Sequence, residues 1–507
     1  MKTPDVLQKP HCLWECRHIL TALLAALALT ICMVLMPACG AMPTQPAPSP
    51  PQPGTAQVTV LLSSTSNDGP WDFYIAIANL TLTDSAGNSV SVYTNPTTSV
   101  LPQAPGEFIH LNGTTEPVVI ASVPQATYTS ATVKTQYCSF SFAGLNSLGG
   151  AAISTSAEGT CGQGTGNTTV NLPDPITISA SGNVLSLNLQ VPQSYTQSQI
   201  GTSSYSYTIS PAFTLTTLQL ADPPSNQQDG LVSGINGQIT STSENGFTLQ
   251  DSDGASLTFS AGADTSYQGI AGLNSLAAGM VVNLDAAIQP DGSLLATRVE
   301  VDDPTATSLV VGQTMIGAQP NTGQFDVLGQ QAVGANATSW ASVQSTAKTQ
   351  FKLSGQFSNV QNLPFNAQFN AQTLFTGQNV AVFYSSSGGM NIPGYQVVDT
   401  VTLMPQTINA IILDVSSTKS FTVYTVGLGE GDLIYVLQAQ TGLFPTLSNP
   451  YRVVVYADSS TQILTSGLPG VASGVLRFRG LIFDDNGTLR MDCSQILPAG
   501  GNLNVSD

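Results

Sequence analysis

The chain has 507 residues and a formal net charge of −18, yet only 8% of its residues are charged. The usual charged share is about 25%, so Ser, Thr, Asn, Gln and Gly must build the surface, a composition common in exported β-proteins. Hydrophobic content of 42% is ample for packed cores, and at about 150 residues per domain the length suggests three or four of them. An acidic field repels polyanions, because nucleic-acid affinity rests on phosphate neutralisation, and this excludes nucleic acid as a partner.

An apolar run starting at Ile19 closes on Leu35-Met36-Pro37-Ala38-Cys39-Gly40. These closing residues resemble a bacterial lipobox, with Met36 where leucine is usual and Pro37 where a small residue is usual. The resemblance implies that residues 1–38 are a signal peptide and that Cys39 carries lipid, anchoring the protein to a membrane. Residues 19–36 are also just long enough to span a bilayer as an uncleaved anchor, and plain secretion is a third option. All three place the bulk outside the cytoplasm. Gly40 is not the aspartate associated with inner-membrane retention, which favours the outer membrane or cell surface. Residues 39–55 are Pro-rich, with Pro43, Pro46, Pro48, Pro50, Pro51 and Pro53. Such a segment is an extended, stiff tether.

Strand signals begin at Val58 and continue with almost no helical interruption. Leu185-Ser186-Leu187-Asn188-Leu189-Gln190-Val191 alternates as a half-buried strand should, and so does Tyr205-Ser206-Tyr207-Thr208-Ile209. Phe213 and Leu215 share one parity and Leu218 and Leu220 the other, which predicts a bulge near Thr216-Thr217. Short strands split by Gly, Asn and Pro predict a β-sandwich over residues 56–221. Within it, Cys138 and Cys161 bracket a Gly/Ser-rich loop. In an oxidising compartment the pair reads as a disulfide, a ring worth about 3 kcal/mol. Two buried thiols are the alternative. The opening strands and the stretch around Pro124-Gln125-Ala126-Thr127-Tyr128 are similar to a lipoprotein domain, domain-of-unknown-function family 4382.

After a linker from Asp222 to Asp229, one order of signals recurs three times, over residues 230–303, 305–404 and 406–498. Each copy opens with a Gly- or Ala-containing strand and a hairpin. A threonine then precedes a bulky residue by two positions: Thr265/Tyr267, Thr349/Phe351 and Thr461/Ile463. A glycine leading a strand follows (Gly279, Gly377, Gly474), and a last strand closes the unit. The middle copy carries an insertion near residues 355–370. The first copy resembles domain-of-unknown-function family 5666, small OB-like barrels of exported bacterial proteins. The resemblance implies three small OB-like β-barrel repeats and brings no known activity. The fold class is all-β: an N-terminal β-sandwich followed by the three barrels.

The chemistry is sparse. Of three histidines, His11 and His18 lie in the signal. His110, in Phe108-Ile109-His110-Leu111-Asn112-Gly113, reads as a strand-end residue beside a turn. A lone histidine excludes multi-His zinc sites, and no catalytic residue, metal or cofactor is assigned. Asp251-Ser252-Asp253-Gly254, Asp302-Asp303 and Asp484-Asp485-Asn486-Gly487 read chiefly as turns, with calcium at Asp251-x-Asp253 or a carboxylate pair as rivals. Trp71 and Trp340 sit in loop-like or insertion contexts, where they could stack on sugar rings or plug a core.

The last hairpin is expected to turn over four residues, Asp484 to Gly487. That register sets Phe478 against Cys493 inside and Arg479 against Asp492 outside, as a salt pair. A sharper expectation gathers Arg477, Arg479 and Arg490 into an anion site. The reading that results is a lipid-anchored, non-catalytic binding or spacer protein whose partners are polysaccharide or other envelope proteins. The rival is a carboxylate-dependent glycan hydrolase.

Overall fold

The computed structural model describes residues 54–65, 70–95, 106–145, 151–159, 166–200, 204–316, 323–334, 337–338, 340–357, 360–385, 395–429, 432, 434, 437 and 451–499. The signal segment, Cys39 and Cys161 lie outside the described residues, as does the Trp71 side chain. Among the described residues no helix is long and apolar enough to cross a membrane.

Among the described residues the N-terminal domain holds twelve strands: β1 (Thr55–Thr65), β2 (Pro70–Asp84), β3 (Ser89–Thr94), β4 (Thr115–Pro124), β5 (Thr127–Leu145), β6 (Ala151–Gly159), β7 (Asn167–Val170), β8 (Ile176–Thr177), β9 (Asn183–Gln190), β10 (Tyr195–Ile200), β11 (Ser204–Ile209) and β12 (Phe213–Leu218). One sheet has the order β12-β9-β1-β4. The facing sheet runs β3-β2-β5-β6, with β7 and β8 also pairing with β5, and β10 and β11 form a separate hairpin beside these two. Inner faces of both contribute to one core, with Val58, Val60, Leu185 and Leu187 from the first sheet and Ile75, Leu80 and Val133 from the second. Each fully buried aliphatic side chain there contributes about 1.5–3 kcal/mol. This is the expected sandwich.

β12 pairs with β9 from Phe213↔Leu189 to Leu218↔Val184 without a register shift, so the expected bulge at Thr216-Thr217 is absent. The parity change is real and has another cause. Phe213 and Leu215 face the sandwich core, whereas Leu218 and Leu220 pack into the core of the next domain. The strand exchanges one partner for another along its length.

The next unit consists of β13 (Leu231–Ser243), β14 (Gly246–Asp251), β15 (Ser256–Gln268), β16 (Val281–Ile288) and β17 (Leu294–Glu300). They close a barrel in the order β13-β14-β15-β17-β16, with β15 and β17 parallel. Closure removes exposed strand edges, the usual route to edge-to-edge aggregation.

The second unit is β18 (Ser308–Met315), β19 (Gln324–Val333), β20 (Trp340–Gln344), β21 (Gln350–Leu353), β22 (Asn379–Tyr384), β23 (Gln396–Val397) and β24 (Thr400–Leu403). The third is β25 (Gln406–Ser417), β26 (Thr422–Leu428), β27 (Arg452–Ala457), β28 (Gln462–Ile463), β29 (Val475–Asp485) and β30 (Thr488–Pro498). In both, the first strand lies between the second and the fourth, and the third pairs in parallel with the fifth. The connectivity is that of the first barrel, with the third strand broken into two pieces; in the second unit the fifth is broken as well. The threonine of each repeat marks this irregularity. Thr265 falls within the register shift of β15, Thr349 just before β21 and Thr461 just before β28. Gly279, Gly377 and Gly474 all have positive φ, at +93°, +94° and +72°, immediately ahead of the fourth strand. The middle insertion supplies Phe357, Val360, Phe365 and Phe369 to its own unit's core.

The C-terminal hairpin corrects the expected register. Asp485 faces Thr488 across a two-residue Asn486-Gly487 turn, with φ of +54° and +85°. Asn-Gly is favoured in such turns because both central residues need positive φ. A further shift falls at Arg479/Gly480, where a Cβ on Gly480 would lie 2.0 Å from the Asp492 carbonyl oxygen. Phe478 therefore faces Ile496 and Arg479 faces Gln495. Cys493 is buried at 4% exposure, as expected, and Leu489 and Met491 point inward.

Candidate functional site

The described residues are tied across their domain junctions by hydrogen bonds. Thr59 of β1 donates to the Gly292 carbonyl at 2.9 Å, and Thr407 of β25 donates to the Asn112 carbonyl at 2.7 Å. Among the described residues these junctions hold hollows, two of which share lining residues. The outer one is a groove of about 1030 Å3 among the three repeat units. Its walls carry hydroxyls and amides such as Ser233, Asn362, Ser460, Gln462 and Ser494, with Phe357 and Phe421 beside them. The inner one is a pocket of about 80 Å3, lined by amides including Asn236, Gln313, Gln331, Asn379 and Gln406. Gln356 and Arg479 line both.

The charges at this junction are arranged in networks. Arg298 Nε lies 2.7 Å from Asp285, its Nη1 2.6 Å from Glu300, and its Nη2 donates to Asn283 Oδ1 at 2.5 Å. Among the described residues Arg479 has Thr407 Oγ1, at 3.4 Å, as its hydrogen-bond partner and no ion pair. Burial lowers its pKa to about 10, opposed by the field of Asp285, so it remains a cation at neutral pH. In the groove, burial and the neighbouring Asp458 raise the pKa of Asp492 to about 6.

A second polar cluster joins the sandwich to the first barrel. His110 Nδ1 lies 2.8 Å from Glu107 and its Nε2 3.0 Å from Glu116. Burial lowers the imidazole's proton affinity, but hydrogen bonds and charge from both glutamates win, raising its pKa to about 10. The imidazolium is thus held as a structural cation. Glu107 also accepts the Phe73 and Ile109 N–H groups, and Asp253 accepts that of Gly106. The Asp251 side chain accepts from Asp253 and Ala255 N–H. That is the turn reading, and among the described residues no group of His, Cys, Asp and Glu could hold a metal ion. Burial and Glu116 push the Asp251 carboxyl well above the usual range.

The three arginines of the expected anion site have separate partners. Arg477 donates to the carbonyls of Pro498 and Ser64 and to Asn112 Oδ1, tying the third barrel to the sandwich. Arg490 pairs with Asp485 at 2.7 Å and donates to the Tyr456 hydroxyl. Arg479 alone turns toward the hollows, and the expected salt pair with Asp492 is absent. Asp302 and Asp303 form a seam with the Thr402 and Thr400 hydroxyls. Trp340 opens β20 and is hydrogen-bonded to Asp326. Cys138 is fully buried and is not a free thiol; among the described residues Cys493 is.

Residues 236–300 match one family model, described as domain of unknown function (DUF5666). The match spans β13 to β17 apart from the first residues of β13, so it covers the first barrel and none of the other three domains. No curated protein matches the chain.

Sequence reasoning missed the inner pocket. Gln313, Asn379 and Arg479 lie on β18, β22 and β29, and no local spacing brings them together. The one available signal was Arg479 itself, a cation on a β-strand of a chain poor in charge.

Proposed function

We propose that this protein is a lipid-anchored component of the bacterial cell envelope that binds polysaccharide and does no chemistry. The lipobox-like Ala38-Cys39-Gly40 and the Pro-rich tether support anchoring through Cys39. A kinship of the N-terminal domain to domain-of-unknown-function family 4382, proposed on the stretch around Pro124-Gln125-Ala126-Thr127-Tyr128, would agree with export. The status of Cys138, buried and not a free thiol, supports a disulfide with Cys161. The observation that carries the binding reading is the groove of about 1030 Å3. Hydroxyl and amide groups on its walls suit the hydroxyls of a sugar chain.

A glycan-array screen of the membrane-extracted, lipid-bearing protein tests this reading. Binding to a defined class of polysaccharide is expected, weakened by Gln462→Ala and Ser460→Ala. Absence of binding to every glycan would leave a spacer and defeat the proposal.

One observation favours a second reading. Asp492, raised to about 6, shares the groove with Asp458, and a protonated carboxyl beside an ionised one is the pairing a glycosidase uses. Release of reducing sugar from a bound glycan, lost in Asp492→Asn, would establish hydrolysis in place of binding.

A further inference from the structure

The inner pocket poses a problem of unmatched polarity. Gln313 is 5% exposed, and its Oε1 is buried without a hydrogen-bond partner. Asn379 Oδ1, on the neighbouring strand, is likewise without one. A buried acceptor left unmet opposes folding, so two at one pocket ask for a donor. The same pocket holds the Arg479 guanidinium, which lacks a carboxylate partner among the described residues. Asp285, whose charge reaches it, is already committed to Arg298, to the Gly234 N–H and to Gln356. Asp432, the acid lining the pocket, accepts the Ile434 and Asn409 N–H groups.

The space is small. A water needs roughly 10–15 Å3 by this measure, so about 80 Å3 admits a handful of heavy atoms and not a whole sugar ring. A guanidinium suits a planar carboxylate through paired N–H donors. Acceptors such as Gln313 Oε1 require a donor, which a hydroxyl beside the carboxylate supplies. Gln356 and Arg479 also line the groove, so a longer molecule could enter by one end.

We propose that the inner pocket binds the carboxylate end of a hydroxy acid, with Arg479 holding the carboxylate and Gln313 accepting from the neighbouring hydroxyl. This rests on the binding reading above and narrows it to an acidic ligand, either a free small hydroxy acid or the terminal sugar acid of a glycan. The rest of a sugar acid would lie in the groove.

Calorimetry on the full, lipid-bearing chain in detergent tests this with D-galacturonate, D-galactose and glycolate as probes. Galacturonate should bind at least about tenfold more tightly than galactose, a difference near 1.4 kcal/mol. Arg479→Gln, checked for an unchanged melting temperature, should weaken galacturonate by a similar factor. Gln313→Leu should weaken it less and serves alone if Arg479→Gln does not fold. Glycolate equal to galacturonate marks a free small acid, whereas galacturonate well above glycolate marks a glycan terminus. Equal affinity for galactose and galacturonate overturns the proposal, as does an affinity unchanged by both substitutions or no binding of either acid at about 10 mM. Array binding of neutral glycans that survives Arg479→Gln would keep the groove reading while this one falls.

Discussion

The Thr265 hydroxyl donates to the Ala296 carbonyl at 2.6 Å and accepts the Gly262 N–H at 2.9 Å, tying the third strand of the first barrel to its fifth. Thr349 makes the same pair of bonds with Val398 and Thr346, at 2.8 Å each. Thr461 repeats it with Cys493 at 2.7 Å and Asp458 at 2.9 Å. The threonine seen in the repeat thus does one job three times, satisfying the backbone where the third strand breaks. Thr265→Val keeps the shape and removes the bonds, leaving a donor and an acceptor unmet. A loss of about 1–3 kcal/mol is expected in urea unfolding of each of the three valine variants. A variant as stable as the parent would deny the threonine this role.

The repeat glycines differ in what surrounds them. Alanine at Gly279 meets open space, so its cost is confined to positive φ, about 1–2 kcal/mol. At Gly377 a Cβ would also lie 3.0 Å from Ile434 Cα. Gly377→Ala should therefore lower the melting temperature more than Gly279→Ala, and the reverse order would contradict this packing.

The sandwich and the three repeats were legible because each rests on local periodicity, such as Leu185, Leu187 and Leu189 alternating into one core. The hairpin register was misread because one residue decides it. Asn486 accepts positive φ, which permits a two-residue turn, and Gly480 lets the Asp492 carbonyl close in and shift the ladder again. The bulge expected near Thr216 failed for a different reason: parity records which side is buried, and not by what. Leu218 is half-buried against the next domain. The inner pocket was beyond reach, since its walls come from sequence-distant strands whose juxtaposition is tertiary.

Acidification should stabilise the protein. Asp72 has its pKa raised to about 8 by burial and the charge of Glu107, and Asp253 is raised to about 7 by burial and the charge of Glu116. A carboxyl whose pKa rises on folding favours the folded state when protonated, so stability falls as pH climbs from about 4 through those values. His110 acts in the same sense over a higher window. Its contribution is full below the unfolded value near 6.5 and is lost as pH rises through about 10. Melting temperature should decline steadily from pH 5 to pH 9, and His110→Gln should flatten the alkaline part of that curve.

Thiol counting separates the cysteines. Burial pushes the Cys493 thiol far above its usual range, so the native protein should resist a thiol reagent. Unfolded without reductant, the processed chain should show one reactive thiol, that of Cys493. Three would mean that Cys138 and Cys161 are unpaired, and more than three would mean that the cysteines of residues 1–39 remain unmodified.

The last prediction concerns Asp492, whose ionisation is opposed by burial and by Asp458. At pH 8 it is charged in an unfavourable place, and its stability contribution, full when protonated, has been lost on passing through about 6. Asp492→Asn removes that charge while keeping the shape. The variant should melt at a higher temperature than the parent at pH 8, and the gain should vanish near pH 4, where both side chains are neutral. If the groove only binds, the same variant should hold neutral glycans as tightly as the parent or more so, because a repulsive like-charge pair has gone. A carboxylate kept there for hydrolysis gives the opposite pattern: a stabler protein that binds glycan and no longer cleaves it. Melting curves at the two pH values and a reducing-sugar assay on one preparation decide between these outcomes.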